Sequence, residues 1–555
     1  MSSKSKRAAF ARASLLAPLL AGASGAAKAQ TPDASAAAPA DPREARIEQL
    51  EQQVQQLAAE VQDLKRGQAE QIKTLSTVEA KQASAPAQLA SIVAGKPSIA
   101  SADGRFSANL HGIVQFDTGL YDQPSPGNLA TDLRRSGPAL GASASNVDLT
   151  HARDLKNGTD FRRARIGIDG VVYGDFDYRL IFDFGGTGVE NTGQLYEAWA
   201  QYSGLKPFHL RVGAFAPSIG LEDQGSTNAM PLLERSVVED IARGLAAGDT
   251  RTAVALWGAG DRWLASGAIT GRTIGVINTG TASAVPQTYG DQLGLVGRLA
   301  GTPLRGDDWL VHLGVHGSYV LHPANTGGPQ ATLGGSTALS AQTIAFSNTP
   351  ELRVDGTKLI NTGNIDASNA WSAGLEFAVQ KRNFYLQSEY EQFGVGRTDP
   401  GLSDPSFHGF YVEGSWVLTG ETRKYNTQTA AFDAPSVDHP FSLSGGGLGA
   451  FELAARYSDM DLNYDAGLVG HAPGANAIRG GEEQNWTVGL NWYPNSVVRF
   501  MVDYQNVRID RLSPCTNTGS GVNNTCTGTA LWRTPVGAQI GQSYNAFAVR
   551  SQFAF

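Results

Sequence analysis

The sequence predicts an all-β fold: a closed antiparallel β-barrel of about 16 strands, preceded by a short N-terminal α-helical coiled coil. From residue 104 onward, short segments alternate apolar and polar residues with a period of two, and stretches rich in Gly, Asn and Asp separate them. Before that point, residues 42–83 repeat apolar side chains at heptad spacing. The composition agrees with many short strands: there are 65 glycines, and no apolar run reaches the roughly 18 residues of a membrane-spanning helix.

Residues 1–29 have the pattern of a secretory signal peptide. Four basic residues precede the apolar segment 13–23, and Ala27-Lys28-Ala29 fits a small-x-small cleavage site. The alternative, a membrane anchor, would need a longer apolar segment. Removal of residues 1–29 takes away five positive charges and no acid, which lowers the net charge from −8 to −13. So acidic a product is not expected to bind nucleic acid.

The segment that follows the signal peptide is interpreted as a linker (30–41), a coiled coil (42–83) and a second flexible linker (84–103). The heptad continues through Gln68 and Gln71 to Leu75 and Val78. A single amphipathic helix is the alternative to a coiled coil. The core positions are Ile47, Leu50, Val54, Leu57, Val61 and Leu64.

The barrel domain is predicted to span 104–555. Strands of about ten residues with one apolar and one polar face are typical of outer-membrane barrels, whereas a soluble β-sandwich would not carry so densely charged a second face. Seventeen segments fit the pattern, and because such barrels usually have an even number of strands, one internal assignment is expected to be wrong. The segments are 104–118, 161–173, 175–185, 194–203, 206–215, 249–259, 262–273, 290–300, 307–321, 350–358, 369–380, 382–393, 405–418, 448–460, 484–493, 497–508 and 543–555.

Connections of unequal length separate these segments. Short links such as Gly174 and Lys381 alternate with the long links 119–160, 322–349, 419–447 and 509–542, which predicts short turns at one end of the barrel and long loops at the other. Cys515 and Cys526 lie in the last long link. In an oxidising compartment they are expected to form a disulfide, with a reduced pair or a metal site as the alternatives. No His lies near them, so no metal site is expected.

Closure of the sheet would place the polar face inside, and the alternation predicts that Arg163, Arg165, Arg179, Arg211 and Arg251 point into the lumen. A guanidinium group can bind a phosphate or carboxylate through two hydrogen bonds, and rings of basic residues line anion pores. The alternative is that these arginines pair with acids of the wall and leave no free positive charge.

The stretch 214–240, between the fifth and sixth strands, is too long and too amphipathic for an ordinary turn. We expect it to fold into the lumen and narrow it, with a plain surface loop as the alternative. Its polar candidates for the constriction are Glu222, Asp223, Ser226, Asn228, Glu234 and Arg235.

Enzymatic motifs are not found in the sequence. It contains no GxSxG, HExxH or P-loop pattern and no Cys/His set with ligand spacing, so neither catalysis nor a cofactor is expected. His111 and Ser107 share a face, but that face is predicted to point into the lumen and not towards lipid.

Six stretches distributed over the barrel domain have distinctive sequences. They are FRRARIGIDG (161–170), YEAWAQYSG (196–204), LEDQGSTNAMPLLERS (221–236), GETRKYN (420–426), GAFELAARYSDMDLNY (449–464) and VGLNWYPNSVVRFMVDY (488–504). Together they resemble the phosphate-selective porin O/P family. The resemblance implies trimeric 16-stranded barrels that take up phosphate or polyphosphate through an arginine-lined pore. It places Arg162 with Arg163 and Arg165 on the family's basic strand, and Arg235 at the arginine of its inward loop.

Two positions depart from the family pattern. A lysine common in the family is replaced by Ala216, and Asn228 stands where the family has an arginine-like residue. The sequence therefore predicts a passive porin in the outer membrane of a Gram-negative bacterium, with only a moderate preference for anions such as phosphate.

The expected partners follow from this prediction. They are two further copies of the chain, membrane lipid and lipopolysaccharide, the assembly machinery through the terminal aromatic residue Phe555, and small anions. Peptidoglycan is a further candidate for the coiled coil, which is expected in the periplasm. The alternative function is a plugged barrel that anchors the outer membrane to the cell wall.

Overall fold

The computed structural model describes residues 42–84, 89–93, 95–125, 154–186, 193–245, 250–274, 292–323, 342–514 and 536–555. The predicted signal peptide, the linker 30–41 and the predicted disulfide between Cys515 and Cys526 lie outside these residues. The chain divides into two compact units, Met1–Ala85 and Pro86–Phe555.

Helix α1 (Pro42–Ser84) is the described part of the first unit. It contains the predicted heptads, and their apolar side chains, from Ile47 to Leu64, are about half exposed or more. A single chain thus presents an apolar stripe along this helix, and the coiled coil stays a prediction. None of the described helices is both long and apolar enough to cross a bilayer.

The second unit is a barrel of sixteen antiparallel strands. Each strand pairs with the next, and the last strand (Ser543–Ala554) pairs with the first (Ser107–Asp122) to close the cylinder, so each of these sixteen strands is paired on both edges. The strands are β3 (Ser107–Asp122), β4 (Gly158–Val172), β5 (Phe176–Asp183), β6 (Gln194–Tyr202), β7 (Phe208–Phe215), β8 (Arg251–Ala259), β9 (Trp263–Thr273), β10 (Leu293–Arg305), β11 (Trp309–His322), β15 (Ile365–Lys381), β16 (Phe384–Arg397), β17 (Ser406–Val417), β20 (Ala450–Tyr464), β21 (Ile478–Tyr493), β22 (Val498–Asp510) and β23 (Ser543–Ala554).

Segment 350–358 is the wrong assignment among the seventeen, and the other sixteen coincide with barrel strands. Its alternating residues Leu352 and Val354 are buried among loop and wall residues inside the barrel, so the pattern reflects a buried extended loop. Successive links lie at alternate ends of the barrel, so counting one strand too many assigns the links after it to the wrong end. The link that contains 419–447 therefore lies at the end with the short turns and not with the long loops.

Part of the predicted linker 84–103 is a β-hairpin. Strands β1 (Leu89–Val93) and β2 (Lys96–Ala100) pair with each other, and β2 also pairs with β3, with Ser98 opposite Asn109. Strands β2 and β23 pair with the same edge of β3. Strand β23 pairs along most of that edge, the backbone of Phe555 bonds to that of Gly112, and β2 pairs with the residues of β3 that precede Gly112. The hairpin therefore extends the barrel wall at its short-turn end.

The outer face of the barrel is apolar, with many exposed Leu, Val, Ile and Phe side chains. Aromatic pairs collect where strands begin or end at the short turns, as in the stacked rings of Phe384 and Trp416, 5.4 Å apart. Phe208 and Trp263 form a similar pair, with ring centroids 6.4 Å apart. An apolar band edged by aromatic rings is typical of barrels in the outer membrane.

Among the described residues, three connections fill the lumen. The first is the inward loop, described over 216–245, with helices α2 (Leu221–Gln224) and α3 (Val237–Leu245). The second is the distal loop, described over 342–364, with the short strands β12 (Thr343–Ile344), β13 (Ser347–Asn348) and β14 (Ile360–Asn361). The third is the inward hairpin, β18 (Arg423–Asn426) and β19 (Ala431–Pro435), which enters from the short-turn end. The largest apolar core therefore lies inside the barrel, where α3 packs on the distal loop and the inner wall.

Candidate functional site

Glu234 attaches the inward loop to the inner wall of the barrel. Its carboxylate accepts hydrogen bonds of 2.8 and 3.0 Å from Arg162 and 2.5 Å from Arg550, while Arg163 and Arg353 approach to 3.5 and 3.7 Å. Burial alone would raise the pKa of Glu234, but the surrounding guanidinium groups hold it well below its ordinary value. The loop is thus attached by a buried carboxylate that stays ionised.

Glu222 makes a second attachment. It accepts hydrogen bonds from the backbone and hydroxyl groups of Ser236 and pairs with Arg456 at 2.9 Å. Arg456 also pairs with Glu413 of the wall and with Glu351 of the distal loop, at 3.1 and 2.6 Å. One guanidinium group therefore holds both loops against the same wall.

The end of helix α3 is fixed by Arg251. Its guanidinium donates hydrogen bonds of 3.0 and 3.4 Å to the carbonyl oxygens of Gly244 and Leu245, at the helix C-terminus. Within the loop, Asp223 pairs with Arg243 at 2.6 Å and with Arg235 at 3.8 Å. These contacts make the loop a fixed part of the lumen.

A cavity of about 600 Å³ lies between the inward loop, the inward hairpin and strands β3–β10. We call it the lumen cavity. Its charged lining is mostly basic, and it comprises Lys96, Arg165, Arg179, Arg211, Arg235, Arg243, Glu197, Asp223 and Asp433.

Aromatic rings hold several of the cavity's arginines. Arg165 lies 3.6 Å from the ring centre of Tyr196, and Arg211 lies 4.2 Å from that of Trp199 and 5.7 Å from that of Trp257. Such stacking fixes a guanidinium group while leaving its N–H edge available. The cavity therefore presents positioned cations.

The cations of the cavity differ in their acidic partners. Arg165 pairs with Asp183 at 2.7 Å, and Arg179 with Glu197 at 3.5 Å. Arg211 instead donates to the neutral Gln201 side chain at 2.9 Å. Within the described residues, neither Arg211 nor Lys96 forms an ion pair, and both line the cavity. Uncompensated positive charge in a confined space attracts small anions.

The predicted site residues divide into two groups. Lining the lumen cavity are Arg165, Arg179, Arg211, Arg235, Asp223, Ser226 and Asn228. Buried in contacts that hold the loops, and away from the cavity, are Arg162, Arg163, Arg251, Glu222 and Glu234. In this second group, Arg162 and Arg163 pair with Glu234 of the inward loop, and Arg251 donates to backbone carbonyls of α3.

Sequence reasoning missed Lys96, Trp199, Trp257 and Arg243 as cavity-lining residues. Lys96 was hidden because its segment was interpreted as a flexible linker. Trp199 and Trp257 follow the inward parity of β6 and β8, so strand alternation could have identified them. Ala216 lines the cavity, as does Asn228, so both departures from the family pattern lie at the candidate site.

Comparison with known proteins identifies a matching family, two relatives and several similar solved structures. The family described as phosphate-selective porin O and P matches residues 138–522. Porin O of Pseudomonas aeruginosa is 25% identical over 371 residues, which cover 64% of this chain and 77% of that one. An uncharacterized protein of Caulobacter vibrioides is 25% identical over 440 residues, or 79% of this chain and 75% of that one. Among solved structures, an anion-selective porin from Comamonas acidovorans shows 12% identity and a TM-score of 0.41, covering 81% of this chain and 100% of that one.

Proposed function

The chain belongs to the phosphate-selective porin O and P family, and on that premise we propose that its barrel is a passive outer-membrane channel that moderately prefers anions such as phosphate or polyphosphate. Family and fold indicate a channel rather than an enzyme. The preference is proposed as moderate because Ala216 and Asn228 supply no charge to the lumen cavity.

The observation that carries the proposal is the pair of unpaired cations, Lys96 and Arg211, in the lumen cavity. A cation that already has a buried carboxylate partner adds little to the field felt by a passing ion, whereas an unpaired one acts at full charge. Arg165 and Arg179 add hydrogen-bond donors beside them, although their charge is largely compensated.

The test is the reversal potential of the purified protein in a planar bilayer under a salt gradient, measured with chloride and then with phosphate added as a blocker. Anion preference with block by phosphate is expected. Cation preference would end the anion proposal. Anion preference without block would keep the porin and discard the phosphate site.

A second candidate function is a plugged barrel that serves as an anchor. The observation that favours it is the dense packing of the inserted connections, in which Glu234 of the inward loop and Glu351 of the distal loop are almost completely buried. The same bilayer measurement separates the two candidates, because a plugged barrel inserts without conducting.

The proposal extends to assembly and location. Three copies are proposed to associate in the outer membrane, surrounded by lipid and lipopolysaccharide, with the apolar heptads of α1 packed together in the periplasm and peptidoglycan as a candidate contact. Phe555, whose backbone pairs with Gly112 and whose ring lies 5.5 Å from that of Phe553, is proposed as the signal for the assembly machinery.

A further inference from the structure

Four carboxylates and two imidazoles are buried together where helix α3 meets strands β11, β15 and β16. We call them the acidic cluster: Glu239, His312, His316, Glu376, Glu389 and Glu391. The cluster lies apart from the residues that line the lumen cavity.

The negative charge of this cluster is poorly compensated. Glu376 is satisfied, since it accepts hydrogen bonds of 2.8 and 2.7 Å from Arg298 and contacts both imidazoles. Arg298 is the only arginine or lysine that pairs with any of the four carboxylates within the part of the chain that the structure describes. With neutral imidazoles, four acids and one guanidinium leave a large net negative charge in a buried space, which is strongly unfavourable.

Glu239 shows most directly that a positive group belongs here. Its side chain is 0% exposed, and neither carboxylate oxygen has a hydrogen-bond partner among the described atoms. Helix α3, which carries Glu239, packs against β11, β15 and β16, the strands that carry the other members of the cluster. The charged groups that act most strongly on Glu239 are Glu389, Glu391 and His316. Buried polar atoms are nearly always satisfied, and an exception of this kind indicates an ion or water that completes the site.

His316 gives the same indication independently. Nδ1 lies 2.8 Å from Glu376 Oε1, and Nε2 contacts Glu391 Oε1. Both ring nitrogens therefore face carboxylate oxygens, an arrangement that requires a positive charge at the imidazole. Either a second proton on the ring or a metal ion bound to one nitrogen supplies that charge.

The wall leaves room for this arrangement. Gly374 of β15 faces the cluster, and a Cβ atom at this position would overlap Glu391 Oε1 and His316 Nε2. One atom from each of His316, Glu376 and Glu389 can be chosen so that all three lie within 4.8 Å of one another, close enough to share one ion.

We propose that the acidic cluster binds one divalent transition-metal ion through His316, Glu376 and Glu389, with the unpartnered carboxylate of Glu239 adding negative charge beside these three ligands. Glu391 accepts the N–H of the other ring nitrogen and orients the imidazole, as carboxylates commonly do behind a metal-bound histidine. One imidazole with several carboxylates suits Zn²⁺, Mn²⁺ or Fe²⁺ better than Ca²⁺. The ion would join three barrel strands at the place where α3 packs against them.

The experiment uses the full chain, refolded in detergent with either Zn²⁺ or a chelator, desalted and assayed for bound zinc by mass spectrometry. About one zinc per chain is expected for the unmodified protein, none for His316→Gln, and at least tenfold weaker binding for Glu239→Gln. Zinc should also raise the unfolding temperature of the unmodified protein but not that of His316→Gln.

Glu483→Gln is the matched control, because Glu483 is equally buried and also lacks hydrogen-bond partners, but on β21. It should retain zinc. Absence of zinc from the unmodified protein overturns the proposal. The positive charge between His316 and the carboxylates would then be a proton. Equal loss in Glu239→Gln and Glu483→Gln also overturns it. Because zinc content is measured without reference to conductance, the result does not depend on the anion preference of the channel.

Discussion

Arg550 on β23 donates hydrogen bonds of 2.7 and 2.6 Å to Asp117 on β3, although the two residues are 433 positions apart in the chain. The same guanidinium reaches Glu234 of the inward loop at 2.5 Å. One side chain therefore links the strands that close the barrel and the loop that fills it.

Replacement of Arg550 by Ala should destabilise the barrel by about 3–5 kcal/mol, because it leaves Asp117 with an unpaired buried charge and weakens the attachment of Glu234. The measurement is the unfolding free energy in detergent. Arg508→Ala is the control: Arg508 pairs with Asp510 on the exposed surface, where a loss of only about 0–1 kcal/mol is expected. Equal losses would contradict the assignment of Arg550 as a structural link.

Arg211→Ala should reduce the anion-to-cation permeability ratio roughly fivefold, which corresponds to the loss of about 1 kcal/mol of attraction to an unpaired charge. Lys96→Ala should act in the same direction. Reversal potentials measure both. Arg382→Ala, which removes an exposed arginine paired with Asp308, should leave the ratio unchanged. An unchanged ratio in both cavity variants would show that selectivity arises elsewhere.

Ala216→Lys should increase block by phosphate, because it adds a cation to the lining of the lumen cavity. The readout is the phosphate concentration that halves the chloride current. Ala216→Met is the matched control, since it adds comparable length without charge. If the two variants behave alike, the match of this position to the family's lysine is wrong.

Glu234 makes the attachment of the inward loop resistant to acid. Its pKa is well below the ordinary carboxylate value, so the stability it contributes is present above the unfolded-state pKa and is lost only as the pH falls through the lower folded-state value. Single-channel current should therefore stay steady from pH 7 to about 4. Glu234→Gln should show at pH 7 the current fluctuations that the unmodified protein shows only in stronger acid. Fluctuations that begin near pH 5 in the unmodified protein would contradict this prediction.

Deletion of residues 42–83 should leave conductance and selectivity unchanged but lower the temperature at which the oligomer dissociates, since it removes the apolar heptads of α1. Oligomer stability can be followed by gel migration after heating. A changed selectivity would mean that this segment contributes to the pore.

The barrel strands were predictable because one face of each strand contacts lipid and the other faces the lumen. Apolar and polar residues therefore alternate within the sequence of each strand. Segment 350–358 shows the limit of this reasoning, because both sets of its alternating residues are buried inside the barrel. Leu352 and Val354 join the apolar core, while Glu351 and Arg353 between them form ion pairs, and an alternation of this kind does not require a strand of the wall. One false strand then placed the link 419–447 at the wrong end of the barrel.

The candidate site was less predictable for a related reason. Strand alternation predicts that Arg163 points inward, but whether its guanidinium meets water or a carboxylate depends on the path of the inward loop, which brings Glu234 to it from 71 positions away. The path of a loop depends on contacts between residues that are distant in the chain, and a local sequence pattern does not reveal such contacts. Strand alternation also predicts that Arg211 points inward. Its hydrogen bond to the neutral side chain of Gln201 then distinguishes it as a cation without an acidic partner.

The pairing of β23 with β3 also sets the order of events during folding. These strands are separated by almost the whole barrel sequence, and bringing such distant segments together costs on the order of 5 kcal/mol in chain entropy. The hairpins between them form at far lower cost, so closure comes last. Until then the growing sheet has two unpaired edges, both able to capture a neighbouring chain. Productive folding therefore requires that those edges be shielded until they meet each other.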